Sequence, residues 1–144
     1  MPHHLEITLH ESLVHMAENL PLFEELSFKD SLLKDITMTE VHTITLIGKL
    51  GAPKMSELAE SAHVTQGTMT GMVNKLVKKE YVKRMRGAAD RRVVRVELTT
   101  RGRKIDKLHE EHHMSLVEKI SGALTRAEQR EMVRLMKKVA GTLE

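Results

Sequence analysis

Residues 64–104 read VTQGTMTGMVNKLVKKEYVKRMRGAADRRVVRVELTTRGRK, and the fold turns on a change of period inside this stretch. From Gln66 to Lys79, Met69, Met72, Val73 and Leu76 recur at helical spacing and predict one buried face. Thr65 stands where an N-cap would accept the first free backbone N–H groups. The other face carries Gln66, Thr68, Thr70, Asn74, Lys75 and Lys78, almost all hydrogen-bonding or cationic. After Glu80 the period drops to two. Tyr81 to Arg86 and Val93 to Leu98 alternate and are rich in β-branched residues, which predicts two strands. Gly87-Ala88-Ala89-Asp90-Arg91-Arg92 between them reads as a hairpin loop with arginines at its tip, a wing.

Upstream, Pro53 precedes a short helix over Met55 to Ala62, and Val64-Thr65 make a tight link to the helix just described. Two short helices at this spacing, the second polar and basic outside, form a helix-turn-helix pattern. Thr37 with Glu40 is a capping-box signature opening a helix with Val41, Ile44, Ile47 and Leu50 on one face. The segment Gly48 to Pro53 ends that helix. Leu5, Leu9, Leu13, Met16 and Leu20 predict an amphipathic first helix, interrupted at Pro21. Downstream, Thr99 starts a long helix with Ile105, Leu108, His112, Leu116 and Ile120 in register, ended by Gly122. Thr125 with Glu128 opens a last helix whose buried face is Met132, Leu135, Met136 and Val139. The fold class is therefore mainly α with a small β-hairpin (α+β), a winged helix-turn-helix.

Charge follows the same division. Residues 66–104 hold twelve Lys/Arg against three Asp/Glu, residues 1–65 hold four against ten, and residues 105–144 balance at seven each. A basic surface concentrated in one stretch suits a phosphate backbone, where released counterions drive binding. A solvated basic face is the alternative reading of charge alone. With no cysteine, disulfides, thiolate metal sites and cysteine catalysis are excluded. The first ten residues do not read as a signal peptide, and no apolar run approaches bilayer length, so the expectation is a cytoplasmic chain without membrane attachment. There is no phosphate-binding glycine loop, nucleophile elbow, HExxH or evident carboxylate pair, which speaks against an enzyme. A helical adaptor that binds protein is the stronger rival, and the basic stretch and wing argue against it.

The order of elements, together with Ser56-Glu57-Leu58-Ala59, Val64 to Leu76, Asp90-Arg91-Arg92 and Leu98 to Arg103, resembles the MarR family of bacterial regulators along essentially the whole chain. Lys54 departs from the family's usual Ser or Thr before the short helix, which weakens a cap. Shorter segments, Lys34-Asp35-Ile36, Val41-His42-Thr43-Ile44, Ile47-Gly48-Lys49, Asp90 to Val94 and Leu116 to Ile120, are similar to the fatty-acid-synthesis repressors of that family, the FabT group. The resemblance implies one domain over 1–144, with dimerisation helices at 1–35 and 105–144 and the winged helix-turn-helix at 36–104. It implies a homodimer on a palindromic double-stranded operator, with reading helices about one DNA turn, ~34 Å, apart. Base edges or phosphates would be met by Gln66, Thr68, Thr70, Asn74 and Lys75, with Gly67 and Gly71 allowing close backbone approach at about 1 kcal/mol each in helix propensity. Arg92 would enter the minor groove, with Asp90 fixing the loop or orienting the arginine. Arg84, Arg86 and Arg91 would meet phosphates.

The resemblance also implies an effector and no required cofactor. Ten methionines and three aromatics make a core able to flex around a long ligand. The FabT likeness points to an acyl chain carried on acyl carrier protein as corepressor, with Met16, Met38, His42, His109, His113 and Met114 as candidate pocket residues; Met132 and Met136 belong with these methionines at the expected dimer junction. On residue type alone ordinary core packing is the favoured account of such methionines, and only the FabT likeness raises an acyl chain above it. A zinc-sensing branch of the family suggests a second set, Glu24, His42, His109 and His113, with His112 able to replace either helix partner. Hydrogen-bonded helix histidines are the simpler alternative, and a small lipophilic or phenolic ligand is a third.

Overall fold

The computed structural model describes residues 8–16 and 35–142, and contact density divides the chain into two units, Met1–His109 and Glu110–Glu144. In chain order the elements are α1 (8–16), α2 (Met38–Leu50), α3 (Met55–Ser61), α4 (Gln66–Lys78), β1 (Val82–Arg86), β2 (Val94–Leu98), α5 (Thr100–Gly122) and α6 (Arg126–Ala140). Pro21 and the apolar residues around it lie outside the described residues.

The caps form where hydroxyl and carboxylate stand three apart. Thr37 Oγ1 accepts from Glu40 N at 3.2 Å while Glu40 Oε2 accepts from Thr37 N at 2.9 Å, and Thr125 with Glu128 repeats the exchange. Thr65 Oγ1 caps α4 by accepting from Thr68 N. At α3 the Lys54 side chain offers no acceptor, so only Glu57 Oε2 contributes, taking the Lys54 N–H at 2.8 Å. α2 ends at Leu50, with Gly51 in the left-handed region at φ 65°. Gly48 is thus inside the helix rather than at its end.

The core of the first unit joins Val41, Ile44 and Ile47 of α2, Leu58 and Ala59 of α3, Met69, Val73 and Leu76 of α4, Tyr81, Val82, Val96 and Leu98 around the hairpin, and Ile105 of α5. Each large side chain buried this way stabilises the fold by roughly 1.5–3 kcal/mol. Met72 is only half-buried, and Leu50 is exposed, as each lies on the edge of its helix's apolar stripe. The hairpin pairs Val82 with Leu98 through Arg86 with Val94. In β1 only Val82 is buried, so the strands leave the core at their base and carry the loop outward. A bridge from Lys54 to Arg95, with Val96 N donating to Pro53 O at 2.9 Å, ties the α2–α3 link to β2.

α5 corrects the expected register. Its buried positions are Gly102, Ile105 and His109, while Leu108 is 41% exposed, Ile120 is exposed, and His112 and Leu116 are intermediate. The reason lies at Gly102, which passes so close to the Tyr81 carbonyl that a Cβ would run into it. That approach fixes the rotation of the helix, and positions three and seven further on then face the core. Thr99 caps this start, accepting from Gly102 N at 3.1 Å and donating to Glu80 O at 2.6 Å.

In the second unit α6 has no buried residue. Leu135, Met136 and Val139 are 45%, 57% and 56% exposed, and Met132 is intermediate, so the face expected to be buried is open in the single chain. Periodicity marks an apolar face and is silent on what covers it.

Candidate nucleic-acid interface

Helix α4 buries Met69, Val73 and Leu76 and turns Gln66, Gly67, Thr68, Gly71, Asn74, Lys75 and Lys78 to solvent. Thr70 is half-buried and its hydroxyl donates to Gln66 O at 2.8 Å, so its donor is committed to the helix. Thr68 Oγ1 accepts from Thr65 Oγ1 at 2.9 Å, which leaves its own proton to offer. Asn74 Oδ1 accepts from Arg84 Nη2 at 2.5 Å, joining the middle of α4 to the wing and committing the amide oxygen rather than its N–H donors. A Cβ at Gly67 or Gly71 would meet nothing within 4 Å. Neither glycine is needed for packing inside this chain, although each weakens the helix.

The loop Gly87–Arg92 is held from within. Asp90 Oδ1 accepts from Arg92 N at 2.9 Å, Val93 N donates to Asp90 O at 3.1 Å, and Gly87 N donates to Val93 O at 2.9 Å. Asp90 thus anchors backbone, and Arg86, Arg91 and Arg92 are all exposed. Gln66 and Arg92 line one cleft with Lys54, Ser56 and Val94, where α3, α4 and the hairpin meet. Lys54 was legible only as a weak cap; the strand-like bridge to Arg95 that brings it beside the wing has no signal in the local sequence.

A polar clasp stands behind this face. Tyr81 Oη donates to Asp35 Oδ1 at 2.8 Å, and Arg101 Nη2 donates to Asp35 Oδ2 at 3.0 Å. Arg101 also donates to Lys79 O at 2.9 Å and lies 4.4 Å over the Tyr81 ring. Lys79 Nζ reaches both Glu40 oxygens, at 2.8 and 3.0 Å, and the Asp35 carbonyl. The Tyr81 hydroxyl bond, against some desolvation and with help from Arg101, holds the Asp35 carboxyl below its ordinary range. Burial pushes Glu40 up, and the Lys79 ammonium with the Thr37 N–H more than offsets it, so Glu40 also sits low. Burial and the Asp35 carboxylate push the Tyr81 hydroxyl up. The sequence placed Glu40 in a cap and Asp35 and Arg101 in family-like segments, but it gave no sign that these five residues converge, because they are spread from 35 to 101 in the chain.

Of the candidate effector residues, Met38 is half-buried against the core, and His109 is buried with Nδ1 3.3 Å from Thr45 Oγ1 and its ring edge-on to exposed His42, centroids 5.4 Å apart. Met16, His113 and Met114 are exposed in the single chain. Glu24 lies outside the described residues, among which no three His, Asp or Glu side chains are arranged to hold a metal ion. No helix among the described residues is long and apolar enough to cross a membrane.

Taken together, the fold and its polar outer helix define a winged helix-turn-helix transcriptional regulator. Residues 36–94 match the MarR family. The chain is similar to Streptococcus pneumoniae FabT, solved in complex with DNA, at 35% identity over 96% of each chain with a TM-score of 0.89. It is also similar to the reduced form of MarR from E. coli, at 28% identity over 90% of this chain and 94% of that one, TM-score 0.68. Among curated relatives, the HTH-type transcriptional regulator YfiV of Bacillus subtilis is 34% identical over 83 residues, which are 57% of this chain and 52% of YfiV. The chain thus spans about half the length of that relative. It belongs to the MarR family, as a DNA-binding transcriptional regulator and not an enzyme.

Proposed function

We propose that this chain is a homodimeric repressor of fatty-acid-synthesis genes that binds a palindromic operator more tightly in the presence of long-chain acyl-acyl-carrier protein. The observation that carries this reading is the 35% identity to FabT across 96% of both chains. In it, α4 lies in the major groove, where Gln66, Thr68, Asn74 and Lys75 meet base edges or phosphates and the open backbone at Gly67 and Gly71 comes close to the duplex. Arg92 enters the minor groove from a loop stiffened by Asp90, while Arg84, Arg86 and Arg91 meet phosphates. Thr70, with its hydroxyl bonded inside the helix, contributes less than its neighbours. The exposed apolar residues of α1 and of α6 supply surface for pairing two copies. An acyl chain binding one spacing of the reading helices better than another would shift the population toward DNA binding.

Selection of bound duplexes from the host's genomic DNA, with and without long-chain acyl-acyl-carrier protein, tests this. Recovery of palindromic sites upstream of fatty-acid-synthesis genes, enriched by the acylated carrier, is the expected result. Recovery of such sites without any response to the carrier overturns the corepressor, and enrichment of unrelated promoters overturns the regulon. A zinc-responsive regulator is the second reading, favoured by the close His42–His109 pair; zinc-dependent enrichment in the same selection selects it.

A further inference from the structure

The turn that joins α4 to the wing is gripped from outside at every carbonyl. Lys79 O accepts from Arg101, Glu80 O from the Thr99 hydroxyl, and Tyr81 O from Thr99 N at 3.1 Å. Glu80 takes φ 63° there, a conformation a non-glycine residue adopts at a cost, so the turn is sharp and over-determined. The same arginine that holds Lys79 O also holds the Asp35 carboxylate and stacks on Tyr81, whose hydroxyl bonds the other Asp35 oxygen. A single bridging guanidinium and one carboxylate therefore link the exit of α4 to the segment that leads into α2.

We propose that Asp35 and Arg101 are positioning residues for operator recognition, fixing the angle at which α4 and the wing are presented to the duplex. The proposal rests on α4 being the reading helix. Neither residue has to touch DNA. Arg101 acts through Lys79 O and Tyr81, and Asp35 acts through Arg101, Tyr81 and the Lys79 ammonium. Specific binding needs both α4 and the wing to reach their grooves together, whereas loose electrostatic binding does not. The clasp should thus matter for discrimination more than for attraction.

The sign of one effect separates this from simple charge. Asp35→Asn deletes a negative charge, and on electrostatics alone it strengthens binding to any duplex. Positioning predicts the opposite for the operator. Fluorescence anisotropy at fixed salt, with a selected operator duplex and a mixed-sequence duplex, reads both. For Asp35→Asn the operator affinity is expected to fall about tenfold, in the range of coupled network contacts, while mixed-sequence affinity holds or rises. Arg101→Gln is expected to lose a similar factor on the operator, and the double variant no more than the larger single loss. Circular dichroism melts establish that each variant is folded at the assay temperature; should Asp35→Asn fail to fold, Tyr81→Phe, which removes only the hydroxyl bond, replaces it with the same expectation of reduced discrimination. Unchanged or tighter operator binding by Asp35→Asn, or fully additive losses, overturns the proposal. A wild-type chain that discriminates no operator instead overturns the reading of α4, and the proposal with it.

Discussion

Helices α2 and α6 carry nearly the same pattern, a capping box followed by apolar residues at helical spacing, and meet opposite fates. In α2, Val41, Ile44 and Ile47 are sealed within a core to which six elements contribute. In α6, Leu135, Met136 and Val139 stand in solvent. The first unit closes on its own interior, so its residues specify a fold by themselves. The second unit is two helical segments joined by local bonds such as Gln129 Nε2 donating to Ser121 O and Leu124 O. An amphipathic stripe is a statement about a face, and its partner has to be found elsewhere.

Five changes put the two fates to the test. The largest effect is expected at the tightest point of the closed unit, where Gly102→Ala forces a methyl into the Tyr81 carbonyl. A loss of about 3 kcal/mol in urea unfolding is expected, the upper end for overpacking, with the angle of α5 disturbed. In the open unit, Met136→Asp should leave the melting of the winged region alone but weaken self-association by about 2 kcal/mol, the scale of an interface anchor; sedimentation at graded concentration measures it. Arg92→Ala, at an exposed position of the wing, should lower operator affinity by roughly 1–3 kcal/mol without altering the dimer, and an unchanged gel shift would remove the wing from the interface. Acid should act on the closed unit through its clasp. Asp35 and Glu40 both sit below their ordinary values of 3.8 and 4.5, so the folded state binds fewer protons than the unfolded chain. Their contribution is whole above pH 4.5 and drains as pH falls past 3.8 toward the lowered values. A variant with Asp35→Asn and Glu40→Gln should show a flatter stability curve across that window. The smallest effect is a gain. Lys54→Ser supplies the missing acceptor at the start of α3 and should raise stability by roughly 0.5–1 kcal/mol, read as a modest rise in Tm.

The sequence carried the winged helix-turn-helix far better than what surrounds it. Local rules governed α2 to β2: a cap at Thr37, a cap at Thr65, a switch of period after Glu80. The face of α5 escaped because Leu108 and His112 satisfy the same spacing as Ile105 and His109, and only the steric limit at Gly102 chooses between them. The clasp escaped for a different reason, since Asp35, Glu40, Lys79, Tyr81 and Arg101 converge only after the chain has folded back. On the polar face of α4 and the wing, the residue types were readable while their commitments were not: nothing local revealed that Thr70 is spent within the helix or that Asn74 is bonded to Arg84.

The two glycines of α4 leave room on the outside of the helix. With empty space around each, alanine at Gly67 and Gly71 would stiffen the helix at no steric penalty within the chain. If α4 reads the duplex as proposed, a screen for heat tolerance would select those substitutions early and lose grip on the duplex in the same step. On that proposal, thermal robustness and operator affinity pull against each other at these two positions, and α4 is softer than alanine there would make it.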